Sequence, residues 1–269
     1  MRRILPIFAL ALTGCAPVFY PAFGQSQETA APWHWSGEIQ KDHWVYVRNL
    51  NGAVRVEAGT GDKVEVTAVK RWRLGNPEDV KISVVQTGAG KGDLLVCALF
   101  RDGDSCDERG YHSSRTNWMN WGNHDVSVEL TIRLPAGARM NASTVNGSLN
   151  IEGATSEVIA HTVNGGITAR SSGGAVSAKT TNGSINVRSA VLDREHSEFS
   201  TVNGSITVEL ADGLNATLDM RTVNGSVSSD FPITISGDIS RRHVRGTLGT
   251  GGPPVKLSTV NGSVRLRKA

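Results

Sequence analysis

Thr201-Val202-Asn203-Gly204-Ser205 decides the fold, because it recurs. The same five residues stand at Thr144–Ser148, Thr222–Ser226 and Thr259–Ser263, with near-copies at Thr162–Gly166 and Thr180–Ser184. The asparagines, Asn146, Asn164, Asn182, Asn203, Asn224 and Asn261, are separated by 18, 18, 21, 21 and 37 residues. A fixed period of this length marks a repeat architecture. The last step is about two periods, which predicts a degenerate unit within 230–250.

The apolar pattern around each Asn is tighter than the spacing. Four residues before it stand Ala142, Ala160, Ala178, Phe199, Met220 and Leu257; three after it stand Leu149, Ile167, Ile185, Ile206, Val227 and Val264. Alternation is period two on both sides, the signature of strands. Its parity flips across Asn-Gly, so the chain turns there, and Asn and Gly are the residues that tolerate positive φ at a turn. Asn51-Gly52 carries the same phase, with Val45 and Val47 before it and Val54 and Val56 after it. Residues 43–57 are therefore read as the first unit.

Two all-β architectures satisfy the pattern. Each Asn-Gly is either the turn of a hairpin in an antiparallel β-meander or the corner of a coil in a β-solenoid. A hairpin does not need Thr before and Ser after every Asn-Gly. Stacked coils place equivalent positions about 4.8 Å apart, so that identical polar residues form ladders. The solenoid is the favoured reading, with the six asparagines as its structural ladder.

Leu134-Pro135-Ala136-Gly137 before the first full copy and Gly246-Thr247-Leu248-Gly249-Thr250-Gly251-Gly252 before the last complete a pattern over about 37–269. This pattern resembles the bacterial putative-adhesin family of β-strand-repeat proteins, a domain of unknown function. The resemblance implies a single-stranded β-helix, right-handed, on the outer side of a bacterial membrane. It implies no catalytic residues and no cofactor.

All six Trp lie between Trp33 and Trp121, and only Phe199 and Phe231 are aromatic beyond them. The shift separates an irregular N-terminal β region, 37–138, from the regular repeats, 139–269. Four alternating runs, Val64–Val69, Val80–Val85, Leu94–Leu99 and Val126–Leu134, read as wider coils with a loop inserted at 101–124. That loop carries Tyr111, Trp118, Met119 and Trp121, and Tyr111, Trp118 and Trp121 are the candidate contact residues, since aromatics on loops dominate recognition of sugars and proteins.

Arg2-Arg3 followed by the apolar run Ile4–Leu12 reads as an export signal. Leu12-Thr13-Gly14-Cys15 looks like a lipoprotein cleavage box, which makes Cys15 the lipidated residue, 1–15 the signal and 16–36 a tether; the alternative is cleavage after Gly24. Ala16 is not a retention Asp, which turns the expectation from the inner to the outer membrane, with the periplasm as the compartment. Cys97 and Cys106 then remain as an even pair, and in an oxidising compartment a disulfide is expected, contributing about 2–3 kcal/mol.

Removal of Arg2 and Arg3 leaves 26 basic against 25 acidic residues, a balance of +1 that excludes a nucleic-acid binder. After Asp238 there is no acid, whereas Arg241, Arg242, Arg245, Lys256, Arg265, Arg267 and Lys268 are basic. Arg241, Arg242 and Arg245 are candidate contacts for an anionic envelope polymer or lipid head groups. Asp102, Asp104 and Asp107 fail the calcium-loop spacing, the histidines show no zinc spacing, and Thr and Ser beside the Asn ladder are too weak as acids or bases to catalyse.

The sequence thus predicts a non-enzymatic envelope adhesin or scaffold, anchored by lipid and partnered by an envelope polymer or protein. A carbohydrate-active β-helix enzyme and an envelope-sensing module are the alternatives. Cys15→Ser should shift the protein from the membrane fraction to the soluble fraction on ultracentrifugation; unchanged membrane association would rule out the lipid anchor.

Overall fold

The computed structural model describes residues 27–114, 125–193, 197–235 and 240–269. Alternating apolar residues flanking each Asn-Gly dictate two strands per repeat, and these build two facing eleven-stranded sheets. The chain runs up a strand of the first sheet, turns at Asn-Gly and continues along a strand of the second. The coil of Asn146, for example, consists of Arg139–Ser143 and Leu149–Ala154, and that of Asn164 of Val158–His161 and Ile167–Ser171. Neighbouring coils pair in parallel and in register, Ala142 with Ala160 and Leu149 with Ile167. Parallel bridges join Asn51, Asn146, Asn164, Asn182 and Asn203 at the corners. The antiparallel meander is thereby excluded, and the chain is an all-β, solenoid-like stack. Two short 3-10 turns, Pro77–Asp79 and Ala89–Lys91, are the only helical pieces among the described residues.

The interior columns follow from the repeats. Val47, Ala142, Ala160, Ala178, Phe199, Leu257 and Met220 line one column, and Val54, Leu149, Ile167, Ile185, Ile206, Val264 and Val227 face them. All but Val227 are buried. The repeat lengthens from 18 to 21 residues where Phe199 and Met220 replace alanine, so the coil widens with the side chain it must enclose.

The stack does not follow the order of the chain. The Asn261 coil (Pro254–Asn261 and Val264–Lys268) lies between the Asn203 coil (Glu198–Asn203 and Ile206–Leu210) and the Asn224 coil (Ala216–Asn224 and Val227–Ser229). The expected degenerate unit in 230–250 is not formed among the described residues. Ile233–Ile235 and His243–Leu248 instead form antiparallel strands outside the Asn224 coil, and the chain then re-enters the stack one coil inward.

The N-terminal end repeats this device. Asp93–Leu99 and Ser127–Leu134 form one coil beyond that of Asn51, in parallel with Trp44–Arg48 and Val54–Ala58. Lys63–Trp72 and Lys81–Thr87 cover that coil with antiparallel strands, and Trp33–Glu38 and Glu28–Thr29 pair with the first of them. The expected series of wider coils is therefore one coil plus an antiparallel cover.

The corners also depart from expectation. Among the described non-glycine residues only Asp42 and Lys91 have positive φ, so no asparagine adopts it, and of the corner glycines only Gly52 and Gly262 do. Glycine is required by crowding instead. A Cβ on Gly183 would stand 2.0 Å from the Gly165 carbonyl oxygen, and one on Gly165 would stand 2.0 Å from that of Gly147. The crowded carbonyl is satisfied by the recurring hydroxyl of the pattern: Thr162, Thr180, Thr201 and Thr259 each donate to the glycine carbonyl of the adjoining coil at 2.9 Å. Those threonines are buried, so removing the hydroxyl leaves a carbonyl without its donor, at about 1–3 kcal/mol.

Thr201→Val should lower the free energy of unfolding by about 1–3 kcal/mol in urea titrations. Gly183→Ala should cost at least as much, about 2–3 kcal/mol, because backbone rather than a flexible side chain must yield. A neutral Gly183→Ala would show that the coils are not held at this contact.

Candidate functional site

The corner ridge is the most regular surface of the molecule. Within each Thr-Val-Asn-Gly-Ser the threonine points inward, which leaves Val and Asn on the outside. The asparagine amides form a continuous ladder: Asn164 donates to Asn146 at 2.8 Å, Asn182 to Asn164 at 2.9 Å, Asn203 to Asn182 at 2.8 Å, Asn261 to Asn203 at 2.7 Å and Asn224 to Asn261 at 2.8 Å. All five bonds point the same way, so each amide polarises the next. At the N-terminal end Asn51 donates to the carbonyl of Val126.

Beside the amides runs an apolar column. Val163 is 41% exposed, Val202 41%, Val260 38% and Val223 55%, and strand spacing sets the column's repeat. Amides, hydroxyls and methyl groups offer shape, hydrogen bonds and apolar contact, but no group that titrates near neutral pH.

The disulfide loop is built differently. Cys97 and Cys106 are joined, with Cα atoms 6.4 Å apart. Arg48, 1% exposed, anchors the loop: its guanidinium donates to the Asp107 carbonyl at 3.1 Å and to that of Glu108, and on the other side to Asn141 at 2.9 Å. Burial lowers its pKa to about 10, which still leaves it charged at neutral pH. It lies over the Tyr46 ring at 5.3 Å, and Tyr46 stacks on Trp44 at 5.9 Å. The Glu108 carboxylate accepts from Thr87 Oγ1 at 2.6 Å and from the Gly88 N–H at 2.9 Å.

Tyr111 belongs to this scaffold. Its hydroxyl donates to the Asp104 carboxylate and accepts from the Phe100 N–H at 3.1 Å. Burial, followed by the bond to Asp104, raises its pKa. Trp118, Met119 and Trp121 lie outside the described residues, as does Cys15. The three loop aspartates diverge: Asp102 meets Lys81 at 3.0 Å, Asp104 meets Tyr111, and Asp107 meets His112 at 3.1 Å. Among the described residues no three His, Cys, Asp or Glu side chains converge as metal ligands.

The basic residues of the C-terminal segment divide between the Asn261 coil and the antiparallel cover outside the Asn224 coil. Arg245 is neutralised by Asp219 at 3.0 Å, which also takes His243 at 3.1 Å. Burial pushes the Asp219 carboxyl upward, yet hydrogen bonds from Arg245 and His243 outweigh it and hold the group below its ordinary range. Arg241 and Arg242 are exposed on a turn whose carbonyls accept from Val227 at 2.9 Å and Thr222 at 2.8 Å. Arg265 and Arg267 lie in the second sheet, beside Thr207 and Glu209.

One further concavity, about 470 Å³, lies on the second sheet and is lined by His34, Trp35, Glu57, Glu65, Thr131 and Arg133. Arg133 stands on the strand between the two glutamates and pairs with Glu65 at 3.2 Å. Sequence reasoning did not anticipate this groove or the role of Arg48. Nothing in the spacing of residues 33–72 announces which strands fold back over the end of a stack.

A family model, Toastrack DUF4097, matches residues 41–267. The chain belongs to the Toastrack family. The matched span begins just before the Asn51 coil and ends within the intercalated last strand. Among solved structures the chain is similar to a putative cell adhesion protein from Clostridium sporogenes, at 10% identity and a TM-score of 0.41, covering 89% of this chain and 100% of that one. It is also similar to a putative adhesin from Bacteroides fragilis, at 10% identity and a TM-score of 0.32, covering 89% and 97%. No curated protein matches the chain.

Within this Toastrack chain, Arg48→Met should destabilise the fold by about 2–3 kcal/mol in chemical denaturation, because it removes a buried charged donor that ties the half-buried loop carbonyls to the stack. Arg71→Met, which breaks the exposed pair with Glu129, should cost less than about 1 kcal/mol. Equal effects would mean that the loop is not docked through Arg48.

Proposed function

We propose that this protein is a non-enzymatic binding scaffold of the bacterial cell envelope, an adhesin in the broad sense, exported and anchored through a lipid on Cys15. The observation that carries the reading is the corner ridge. It presents exposed valines beside a hydrogen-bonded amide ladder on a rigid, repeating frame. Such a surface is preorganised, so binding costs little ordering entropy, and it carries no acid or base for catalysis. An extended envelope polymer or protein surface is the partner such a ridge fits, because its contacts repeat at strand spacing rather than converging on a pocket.

Two subsidiary surfaces belong to the same proposal. Trp118 and Trp121, which follow the disulfide loop in sequence, are proposed as further contact residues, since aromatic rings offer large contact area. Arg241 and Arg242 supply positive charge at the C-terminal end of the ridge, toward anionic polymer or head groups. The winding is taken as right-handed and single-stranded, in keeping with the general handedness of parallel crossovers.

The test replaces ridge valines that adjoin in the stack. Val202→Ser, Val260→Ser and Val223→Ser together should lower co-sedimentation with purified envelope fragments by about tenfold or more, with an unchanged far-UV circular dichroism spectrum. Sedimentation equal to that of the unaltered protein would remove the ridge as the contact surface.

A further inference from the structure

The chain contains seven Asn-Gly pairs, and the stack treats one of them differently. In six, the glycine N–H donates to the asparagine carbonyl of the adjoining coil. Gly52 reaches Asn146 at 2.8 Å, Gly147 reaches Asn164 at 3.0 Å, Gly165 reaches Asn182 at 2.9 Å, Gly183 reaches Asn203 at 2.9 Å, Gly204 reaches Asn261 at 2.9 Å and Gly262 reaches Asn224 at 3.0 Å. Gly225 has no coil beyond it, and among the described residues its N–H has no acceptor.

Asn224 differs in the same way. Its side-chain oxygen receives no amide from a further rung among the described residues, although its nitrogen still donates to Asn261. The corner Val223–Ser226 is exposed throughout. The turn at 240–243 supplies carbonyls to Thr222 and Val227 on either side of the pair, and not to the pair itself.

We propose that Asn224-Gly225 is a site of spontaneous, structure-selected modification. The backbone nitrogen of Gly225 attacks Cγ of Asn224. The N–Cγ bond forms, the Cγ–Nδ2 bond breaks, and the proton of the attacking nitrogen leaves with the amide as ammonia. Water then opens the five-membered imide to aspartate or isoaspartate. No oxidant, cofactor or second protein enters the balance. Glycine leaves the attacking nitrogen unhindered at all seven pairs, so the sequence alone makes them equivalent. The stack withdraws six of them by committing the nucleophilic nitrogen as a donor within a crowded corner.

The product is a local charge change. A carboxylate replaces the terminal amide between the two segments that carry the Arg241–Arg242 turn, and it cannot donate to Asn261. The last rung of the ladder is lost and the other four remain.

Peptide mapping by mass spectrometry, on folded full-length protein incubated at mildly alkaline pH, tests the proposal. Asn224 should gain its one mass unit roughly tenfold faster than Asn203 or Asn261, the factor that opening one net hydrogen bond is worth. In denaturant all seven pairs should convert at similar rates. Asn224→Gln should abolish the new acidic species on ion exchange without creating another. Conversion in the folded protein spread evenly over the seven pairs, or fastest at an interior pair, would overturn the proposal.

Discussion

The structure depends on one close approach. Wherever two Asn-Gly corners adjoin, the carbonyl of one glycine points at the α-carbon of the next, and the strand spacing leaves no room for a methyl group between them. That contact forces glycine, and the buried carbonyl it creates must find a donor. The threonine two residues before the asparagine supplies it in the six later copies, and Asn49 takes that role beside Asn51. The five-residue pattern is thus a single mechanical part. Thr binds backbone inside, Asn binds its own kind outside, and Gly lets the two layers touch.

The ends raise a separate problem. A parallel stack cut anywhere exposes unpaired strand edges that invite pairing with other chains. Here each end is covered by antiparallel strands drawn from the chain itself, Lys63–Trp72 and Lys81–Thr87 at one end and His243–Leu248 with Ile233–Ile235 at the other. The cover is incomplete at the C-terminal corner, where Val227–Ser229 is a three-residue edge strand. Short edge strands are a common way to limit such pairing.

Much of this was legible in the sequence. The phase of Val45, Val47, Val54 and Val56 around Asn51 placed the first coil correctly, although 95 residues separate it from Asn146, with which it pairs. The inward columns follow directly from period-two alternation. The order of the coils was not legible, because a step of 37 residues fits a missing repeat as well as a detour, and Ile233, Ile235, Val244 and Leu248 alternate as any strand does. The reason for glycine was also misread: turn chemistry and interlayer crowding select the same residue. The site was the least legible part. Tyr111 looks like a free loop aromatic until Asp104 and Phe100 are seen on its hydroxyl, and Arg48 looks like a solvated strand residue until two loop carbonyls close over it.

The interior position of Pro254–Asn261 and Val264–Lys268 bears on how the chain is made. Regular coils join residues 15–21 apart, as in Thr162 to Gly147 or Asn203 to Asn182, and such contacts can form while synthesis is still under way. The bond from Thr259 to Gly204 spans 55 residues, and that from Asn261 to Asn203 spans 58. The Asn224 coil meets His243–Leu248 on its outer side, but its inner side has no strand to pair with until residues 254–268 are in place. Residues 254–268 are thus the keystone of this end: without them the Asn203 and Asn224 coils face each other across an open slot, one layer in from the C-terminal cover.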